Sequence, residues 1–320
     1  MTTAKDNREK PIAAVTGGSG FIGRCLVAKL RAAGWQVRVL ARSIARASRI
    51  EQLAGTELVA GDLEQTSGLR RLVQGADAVV HCAGAVRGVT PAQFERVNVD
   101  GVIRIAEATR QQSYPPRLLC LSSLAAREPQ LSPYAASKRK GEQALAEAGG
   151  GIFWAALRPP AVYGPGDKEL LPLFRLMARG LAPLPGSIEA RFSVIYVDDL
   201  ANAVLRWLDA PPKTGGIFEL HDGRIGGYSW DDVIGIVQQL TGRSVRRLKI
   251  PLPLLQLPAV INWIAGQLLP YAPMLTPGKL RELRHPDWVC DNQSIQQAID
   301  WQPRIDLKEG LRLTPGWGPE

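Results

Sequence analysis

TGGSGFIG, residues 16–23, lies where an apolar run, IAAVTG at 12–17, gives way to an amphipathic stretch, FIGRCLVAKLRAAG at 21–34. Glycines with this spacing permit a tight turn, a close approach of the backbone to a pyrophosphate, and close packing of a helix on its strand. The first N–H groups of that helix have no helical acceptor and suit phosphate oxygens. The stretch therefore predicts a dinucleotide site after a first strand. The residues expected against the cofactor here are Gly17, Gly20, Phe21, Ile22 and Gly23.

Short apolar runs continue to alternate with amphipathic stretches as far as about residue 158. WQVRVLA, ELVAGD, ADAVVHCAG, RLLCLSS and IFWAALR are typical of strands, with helical stretches between them. This alternation predicts an α/β fold, a Rossmann doubly wound parallel sheet of six or seven strands with right-handed crossovers. We expect a dinucleotide-binding domain at 10–160, to which later strands return from about 190–220. Residues 161–320, which are richer in turns, should form a smaller, mainly substrate-binding cap region.

The composition suits a globular enzyme of 320 residues with 45% hydrophobic side chains. The formal charge of +9 would attract phosphate-bearing ligands, nucleic acid or an anionic membrane, but no zinc-finger spacing or aromatic-interleaved basic run is present. We therefore expect a small-molecule substrate and no nucleic acid. The first ten residues, MTTAKDNREK, have no apolar core of a signal peptide, which favours a cytoplasmic location.

The four cysteines, Cys25, Cys82, Cys120 and Cys290, lie far apart and show no ligand spacing. Such a pattern favours free thiols and predicts no metal site.

One segment, IPLPLLQLPAVINWIAGQLLPYAPML at 250–275, is long and apolar. Prolines at 251, 253, 258, 270 and 273 should interrupt it, leaving less than the ~20 residues of a membrane-spanning helix. A hydrophobic cap over a substrate pocket is the favoured interpretation. Peripheral membrane contact through residues 249–275 is the alternative.

The second strand ends at Ala41 and Arg42, where NAD enzymes commonly place an acid for the ribose 2′-hydroxyl. Arg42 instead suits a 2′-phosphate, with Arg38 and Arg46 as helpers, and this favours NADP(H) while NAD(H) stays open. Solvated arginines would give the same pattern.

Asp62 and Leu63 follow the third strand. From there the Asp62 carboxylate can accept the adenine amino group, although an Asp that only forms a turn is a close alternative.

Tyr134 and Lys138, in YAASK, are spaced i to i+4 at the start of a helix and so share one face. A phenol with a reference pKa of ~10 is a poor acid or base, and a neighbouring ammonium group should lower that pKa. The fifth strand ends in Ser122 and Ser123, at the edge where ligands of such sheets bind. One of these hydroxyls would hold a substrate oxygen against Tyr134. An isolated YxxxK is common on exposed helices. The prediction of an acid/base pair therefore rests on the position of this motif after the strand that ends in Ser122 and Ser123.

TGGSGFIG, GDL, HCAG, VNVDG, LSS, YAASK, RPPAVYGPGD and VDDLA occur in this order over about residues 12–205. Together they resemble the extended short-chain dehydrogenase/reductases, also called the NAD-dependent epimerase/dehydratase family. The resemblance implies hydride transfer to or from a nicotinamide, with a Ser-Tyr-Lys centre. In it Ser123 would polarise the substrate oxygen, Tyr134 would transfer its proton, and Lys138 would bind the nicotinamide ribose and tune the tyrosine. It also implies a cofactor lining that includes Ala83, Gly84 and Pro159, and a homodimer is common in such enzymes.

Two features of the sequence depart from the pattern of the nucleotide-sugar epimerases and bear on the substrate. The linker at 124–133 is shorter than in nucleotide-sugar epimerases, and the strand end at Arg42 resembles those of dihydroflavonol reductases and 3β-hydroxysteroid dehydrogenase-like enzymes. Both favour NADP(H)-dependent interconversion of a ketone and a secondary alcohol on an apolar substrate.

Arg191 is placed where epimerases hold a diphosphate, which keeps a nucleotide-sugar epimerase, dehydratase or reductase open as the alternative. Arg191 would otherwise be an ion-pair partner of Asp198 or Asp199. A non-catalytic cofactor sensor or assembly protein is disfavoured, because such relatives typically lose the tyrosine or the lysine.

Overall fold

The computed structural model describes residues 10–211, 215–269 and 271–318. Its strands are β1 (Ile12–Thr16), β2 (Gln36–Ala41), β3 (Glu57–Ala60), β4 (Ala78–His81), β5 (Arg117–Leu121), β6 (Trp154–Arg158), β7 (Ala161–Tyr163), β8 (Leu181–Leu184), β9 (Arg191–Phe192), β10 (Val194–Tyr196), β11 (Gly216–Glu219), β12 (Tyr228–Ser229), β13 (Arg246–Lys249) and β14 (Asp287–Trp288). Its helices are α1 (Phe21–Ala32), α2 (Ile44–Ala47), α3 (Thr66–Val73), α4 (Pro91–Asn98), α5 (Asp100–Arg110), α6 (Pro133–Ala148), α7 (Leu171–Ala178), α8 (Val197–Asp209), α9 (Trp230–Thr241), α10 (Leu252–Leu268), α11 (Pro277–Arg284), α12 (Gln293–Ile299) and α13 (Leu307–Arg312). Short 3-10 helices cover Glu51–Leu53 and Leu124–Arg127.

Seven strands form one parallel sheet in the order β11-β6-β5-β4-β1-β2-β3. The chain builds outward from β1 to β3 and then returns to β4 on the other side of β1. The strand order therefore reverses between β1 and β4, and ligands of such sheets bind at the carboxyl ends beside that point. The predicted doubly wound parallel sheet of six or seven strands is confirmed.

The sheet is buried on both faces, because successive side chains of a strand point in opposite directions. Ala13 and Val15 pack in the layer that contains α1 and α8, whereas Ala14 packs in the layer with α3 and α5. This two-sided burial explains why the strands are continuous apolar runs in the sequence.

Past residue 160 the chain contributes to both parts of the molecule. β11 joins the main sheet beside β6, and α8 packs on α1. The remaining strands form three small sheets, β7 with β10, β8 with β13, and β9 between β12 and β14. They surround a further apolar core with Tyr163, Phe174 and Tyr228. The division into two regions near residue 160 stays a prediction.

The apolar segment differs from its prediction, because α10 runs without a break through Pro258. Pro253 lies in the first turn, where its missing N–H costs no helical hydrogen bond. Pro258 is on the exposed side of the helix, where water can reach the carbonyl group that loses its donor. Pro270 lies outside the described residues. Within the described ranges, no helix is both long and apolar enough to cross a bilayer.

Candidate active site

The turn between β1 and α1 has the shape of a phosphate cradle. Gly17 has a φ of +70°, and a Cβ at this position would lie 2.5 Å from the backbone nitrogen of Ala83. A Cβ on Gly23 would collide with the carbonyl oxygen of Gly17. Gly20 gives α1 no side-chain cap, so the N–H groups of Phe21 and Ile22 stay available to an anion. These residues fit a dinucleotide, and their contact with it stays a prediction.

Arg42 follows β2 and is exposed, and none of the described residues forms an ion pair with its guanidinium group. It is thus available to a 2′-phosphate at the edge that holds Gly17. Arg38 is not, because its guanidinium bonds Glu57 and the carbonyl oxygen of Gln74, at 2.8 and 2.5 Å. Arg38 lines a cavity with Ile12, at the amino end of the strands. The expectation that Arg38 helps bind the cofactor is therefore wrong.

Asp62 shapes the turn after β3. Its Oδ1 accepts hydrogen bonds from the backbone nitrogens of Glu64 and Gln65, at 2.8 and 3.0 Å. Leu63 is half-buried and packs against Gly101 of α5. The turn-forming alternative therefore describes Asp62 in this structure, and its contact with adenine stays a prediction.

The loop after β4 approaches α6 closely. A Cβ on Gly84 would lie 3.1 Å from the ammonium nitrogen of Lys138. Buried Asn98 exchanges hydrogen bonds with both backbone groups of Ala85, at 2.9 and 3.0 Å, and donates to Ser137 Oγ at 2.9 Å. Asn98 thus ties the expected cofactor loop to the helix that contains Tyr134.

His81, at the end of β4, was not predicted to have a role. Its Nδ1 lies 2.8 Å from Thr16 Oγ1, and burial lowers the pKa of the imidazole to about 3. It is therefore a neutral link between the ends of β1 and β4.

Ser123, Tyr134 and Lys138 meet at the carboxyl edge of the sheet. Ser132 caps α6, and Tyr134 follows in its first turn, where the neighbouring side chain of Ser123 acts to lower the pKa of its hydroxyl. Lys138, one turn on, donates to the carbonyl oxygen of Leu121 at 3.0 Å. The neighbouring Ser122 instead bonds Glu142 at 2.5 Å. The geometry thus brings together the three residues chosen from the sequence, while their catalytic roles stay a prediction.

Burial is the largest influence on the pKa values of Tyr134 and Lys138. It raises the pKa of Tyr134, and the side chain of Ser123 and the charge of Lys279 oppose that rise only in part. The expectation of a lowered tyrosine pKa is therefore wrong for the protein alone, because loss of water outweighs the neighbouring charges. Burial also lowers the pKa of Lys138 to about 8.

A cavity of about 380 Å³ opens in front of Tyr134. Its walls are largely apolar, with Phe94 from α4 and Val260 and Trp263 from α10. The sequence predicted a hydrophobic cap in this part of the chain.

A polar cluster on the same wall was not predicted. Lys279 pairs with Glu282 at 2.9 Å, and Glu282 also accepts the hydroxyl of Ser132. Lys279 Nζ lies 5.9 Å from the centroid of the Tyr134 ring. The i, i+3 spacing of Lys279 and Glu282 on α11 is the only local signal, and it is common on surface helices.

The cap region is fastened to the segment that leads into α6. Arg127 donates to the carbonyl oxygens of Val289 and Asp287 at 2.6 and 2.8 Å, and Arg281 donates to that of Leu131 at 2.7 Å. Pro159 accepts the N–H of Leu124, which fixes the strand end beside Ser123.

Arg191 lies elsewhere. Its guanidinium donates to the carbonyl oxygens of Gly226 and Gly227 at 2.6 and 3.0 Å, and it does not line the cavity in front of Tyr134. Asp198 pairs with Lys29, and Asp199 accepts backbone N–H groups. The predicted ion pair of Arg191 with either aspartate is therefore wrong.

A tyrosine and a lysine at the edge where a doubly wound sheet binds dinucleotides define an oxidoreductase of the extended short-chain dehydrogenase/reductase class. Residues 13–220 match the model of the NAD dependent epimerase/dehydratase family, and the chain belongs to this family. The resemblance noted in the sequence is thereby confirmed.

Two relatives with assigned activities are reductases. A ceramide reductase of Caulobacter vibrioides is 37% identical over 308 residues, which cover 96% of this chain and 94% of the relative. A 2-alkyl-3-oxoalkanoate reductase of Stenotrophomonas maltophilia is 31% identical over 210 residues, 59% of this chain and 62% of the relative. The UDP-glucose 4-epimerase of Thermotoga maritima, solved with UDP-glucose, has the same fold, with a TM-score of 0.71 and 22% identity over 95% of this chain and 97% of that one.

Proposed function

We propose that the protein is an NADP(H)-dependent reductase that interconverts a ketone and a secondary alcohol on a long-chain lipid of the ceramide type. The observation that carries this proposal is the cavity in front of Tyr134, whose walls are largely apolar and whose polar groups include the Lys279–Glu282 pair. A lipid with a polar head and alkyl chains has the matching chemistry. The ceramide reductase of Caulobacter vibrioides, similar over nearly its whole length, supports this substrate class.

The cofactor would bind at the carboxyl ends of the strands, beside the reversal of strand order between β1 and β4, with its phosphates at Gly17 and α1 and a 2′-phosphate at Arg42. Gly84 and Ala83 would line its path toward Lys138, which would hold the nicotinamide ribose. Residues 10–160 and the returning β11 would form this cofactor region, and most of 161–320 the substrate region.

In the reduction, Tyr134 would give its phenolic proton to the ketone oxygen while Ser123 holds that oxygen by a hydrogen bond. A reduced dinucleotide, when bound, would supply the hydride for the carbonyl carbon, so the ketone would gain one hydride and one proton and become the alcohol. Lys138 would stabilise the phenolate that Tyr134 leaves behind, which counters the effect of burial on its pKa.

The ammonium of Lys279 and the carboxylate of Glu282 would bind the polar group next to the ketone. The ion pair lies on the same cavity wall as Tyr134, so a head group held there places the neighbouring carbon at the proton donor. The alkyl chains would lie against Phe94, Val260 and Trp263.

Nucleotide-sugar chemistry has less support. Arg191 does not line this cavity. In the described part of the structure, its guanidinium donates hydrogen bonds to the carbonyl oxygens of Gly226 and Gly227. The likeness to the UDP-glucose epimerase concerns the fold alone.

The test follows dinucleotide oxidation when the purified protein receives NADPH or NADH together with a ceramide that carries a ketone on its long-chain base, in detergent micelles. We expect oxidation of NADPH with the lipid ketone and none with the Tyr134→Phe variant. Because an epimerase regenerates its dinucleotide, UDP-glucose is incubated separately and its products are separated by chromatography, and we expect no conversion. Turnover of UDP-glucose without the lipid would contradict the proposal.

A further inference from the structure

Helix α10 carries its large apolar side chains on the outside. Leu254, Leu257, Ile261, Ile264 and Leu268 are 66, 65, 55, 47 and 78% exposed. They recur every three or four residues and so form one stripe along the helix. A helix on the surface of a soluble domain normally places such side chains against the core.

The residues of α10 that pack most closely on the protein are small or polar instead. Ala259 is fully buried, and a Cβ on Gly266 would lie 2.6 Å from the side chain of Val89. Asn262 donates to the carbonyl oxygen of Leu275 at 3.3 Å. The helix is thus packed closely on the protein by its small residues, and its exposed stripe does not come from loose docking.

The stretch of sequence around this stripe is basic, and the acidic partners of Arg247 and Lys279 lie just outside it, at Asp231 and Glu282. From residue 233 to residue 281 the sequence contains no Asp or Glu. The basic residues in the same interval are Arg243, Arg246, Arg247, Lys249, Lys279 and Arg281. Strand β13, which leads into α10, is exposed along its length, and among the described residues none forms an ion pair with Arg246 or Lys249. An apolar stripe beside unpaired cations matches the surface of a bilayer with anionic headgroups.

The stripe is continuous with the wall of the active-site cavity. Val260 and Trp263 line the cavity that contains Tyr134, and each is also 41% exposed. The exposed stripe and the cavity lining therefore adjoin on the same turns of α10.

We propose that α10 lies in the headgroup region of an anionic bilayer, with the Leu254–Leu268 stripe inserted and β13 on the headgroups, and that a lipid passes from the bilayer into the cavity beside Val260 and Trp263. The docking goes beyond the proposed function and does not depend on it. Only the passage of substrate rests on the lipid ketone being the substrate.

The test is flotation of the full-length protein with vesicles of phosphatidylcholine alone or mixed with phosphatidylglycerol, without substrate or dinucleotide. We expect binding to the mixed vesicles, weakened by salt, and much less binding to the neutral ones. The combined variant Leu257→Gln, Ile261→Gln and Ile264→Gln should bind at least about tenfold more weakly. The matched control is Ile225→Gln, since Ile225 is 93% exposed but lies on the loop before β12. It should bind like the wild type.

The charge component is tested with Arg246→Gln and Lys249→Gln together, which should weaken binding to anionic vesicles by about fivefold or more per side chain removed. Arg70→Gln with Arg110→Gln removes two exposed cations from α3 and α5 and should have little effect.

Absence of binding at low salt, or equal binding by the stripe variant and the wild type, would overturn the proposal. So would a wild-type dimer that the stripe variant converts to a monomer, because a second copy would then cover the stripe. Reduction of the lipid ketone in micelles is measured separately, so loss of docking and loss of the proposed activity are distinguishable.

Discussion

The ammonium group of Lys279 lies 5.9 Å from the centre of the Tyr134 ring and forms an ion pair with Glu282 at 2.9 Å. The charge that acts on this phenol thus comes from α11, in a distant part of the chain, whereas Lys138 on the helix of Tyr134 donates to the carbonyl oxygen of Leu121.

Replacement of Lys279 by Met should impair both the acid/base group and substrate positioning. The charge of Lys279 lowers the pKa of Tyr134, so its removal raises that pKa and leaves the opposing charge of Glu282 uncompensated. In the direction of alcohol oxidation, which needs the phenolate, the rise of kcat with pH should move to higher pH. KM for the lipid should increase about tenfold, as expected for one lost charged contact. Lys279→Arg keeps the charge and should retain the wild-type profile, and identical profiles of the two variants would contradict the role.

Tyr134→Phe should lower kcat by about 10²- to 10⁴-fold, the usual contribution of a positioned proton donor. Binding of dinucleotide should persist, measured as the rise in Tm with NADPH. The control is Tyr114→Phe, since Tyr114 is 60% exposed and remote from the cavity. Activity that survives in Tyr134→Phe would remove the tyrosine from the mechanism.

Arg42→Ala should weaken NADPH binding by roughly 10- to 100-fold and leave NADH binding nearly unchanged, because only NADPH has the 2′-phosphate. The measurement is the rise in Tm across a titration of each dinucleotide. An equal loss for both dinucleotides, or none, would argue against a phosphate contact at this residue. Arg110→Ala is the matched control.

Glu142→Gln should destabilise the fold by about 3–5 kcal/mol, the usual cost of breaking a buried ion pair. Glu142 accepts two hydrogen bonds from buried Arg158, at 2.7 and 2.6 Å, and these raise the pKa of the guanidinium. The exposed pair of Lys140 and Glu95 provides the comparison, and Glu95→Gln should cost less than about 1 kcal/mol. Urea unfolding midpoints of the two variants measure the difference.

The pKa of Lys138, lowered by burial from 10.5 to about 8, makes stability depend on pH. Below pH 8 the lysine is protonated in both states, and the folded state bears the full cost of a buried cation. As the pH rises from 8 toward 10, the folded state releases this proton before the unfolded state does. The free energy of unfolding of the wild type, relative to Lys138→Met, should therefore rise over that range. A flat difference would show that the ammonium group is hydrated.

Features formed by residues close together in the sequence were predictable, and contacts between distant parts of the chain were not. The turn at Gly17 and the shared face of Tyr134 and Lys138 follow from spacings of a few residues. Lys279 lies near Tyr134 only because the cap folds back over the sheet. A sequence pattern of a few residues cannot predict such a long-range contact. The direction of the Tyr134 pKa shift was missed for the same reason, since burial depends on what covers the residue.

The path of α10 through Pro258 was also missed. Proline is a poor interior helix residue by propensity. Pro258, however, lies on the exposed side of α10, where water can bind the carbonyl group that it leaves without a donor. The pairing of Arg191 was predicted wrongly because the carbonyl groups of a neighbouring loop carry no side-chain signature.

The hydrogen bonds of Arg127 and Arg281 have a consequence for how such enzymes diversify. They join the backbone of one region to side chains of the other at the segment that leads into α6, so the cap is not an interchangeable module. A cap taken from a relative and joined at residue 160 would lack these hydrogen bonds. The segment that leads into α6 would then have no support from the cap. New substrate specificities in this lineage should therefore arise by changes of lining side chains within an inherited cap rather than by exchange of whole caps.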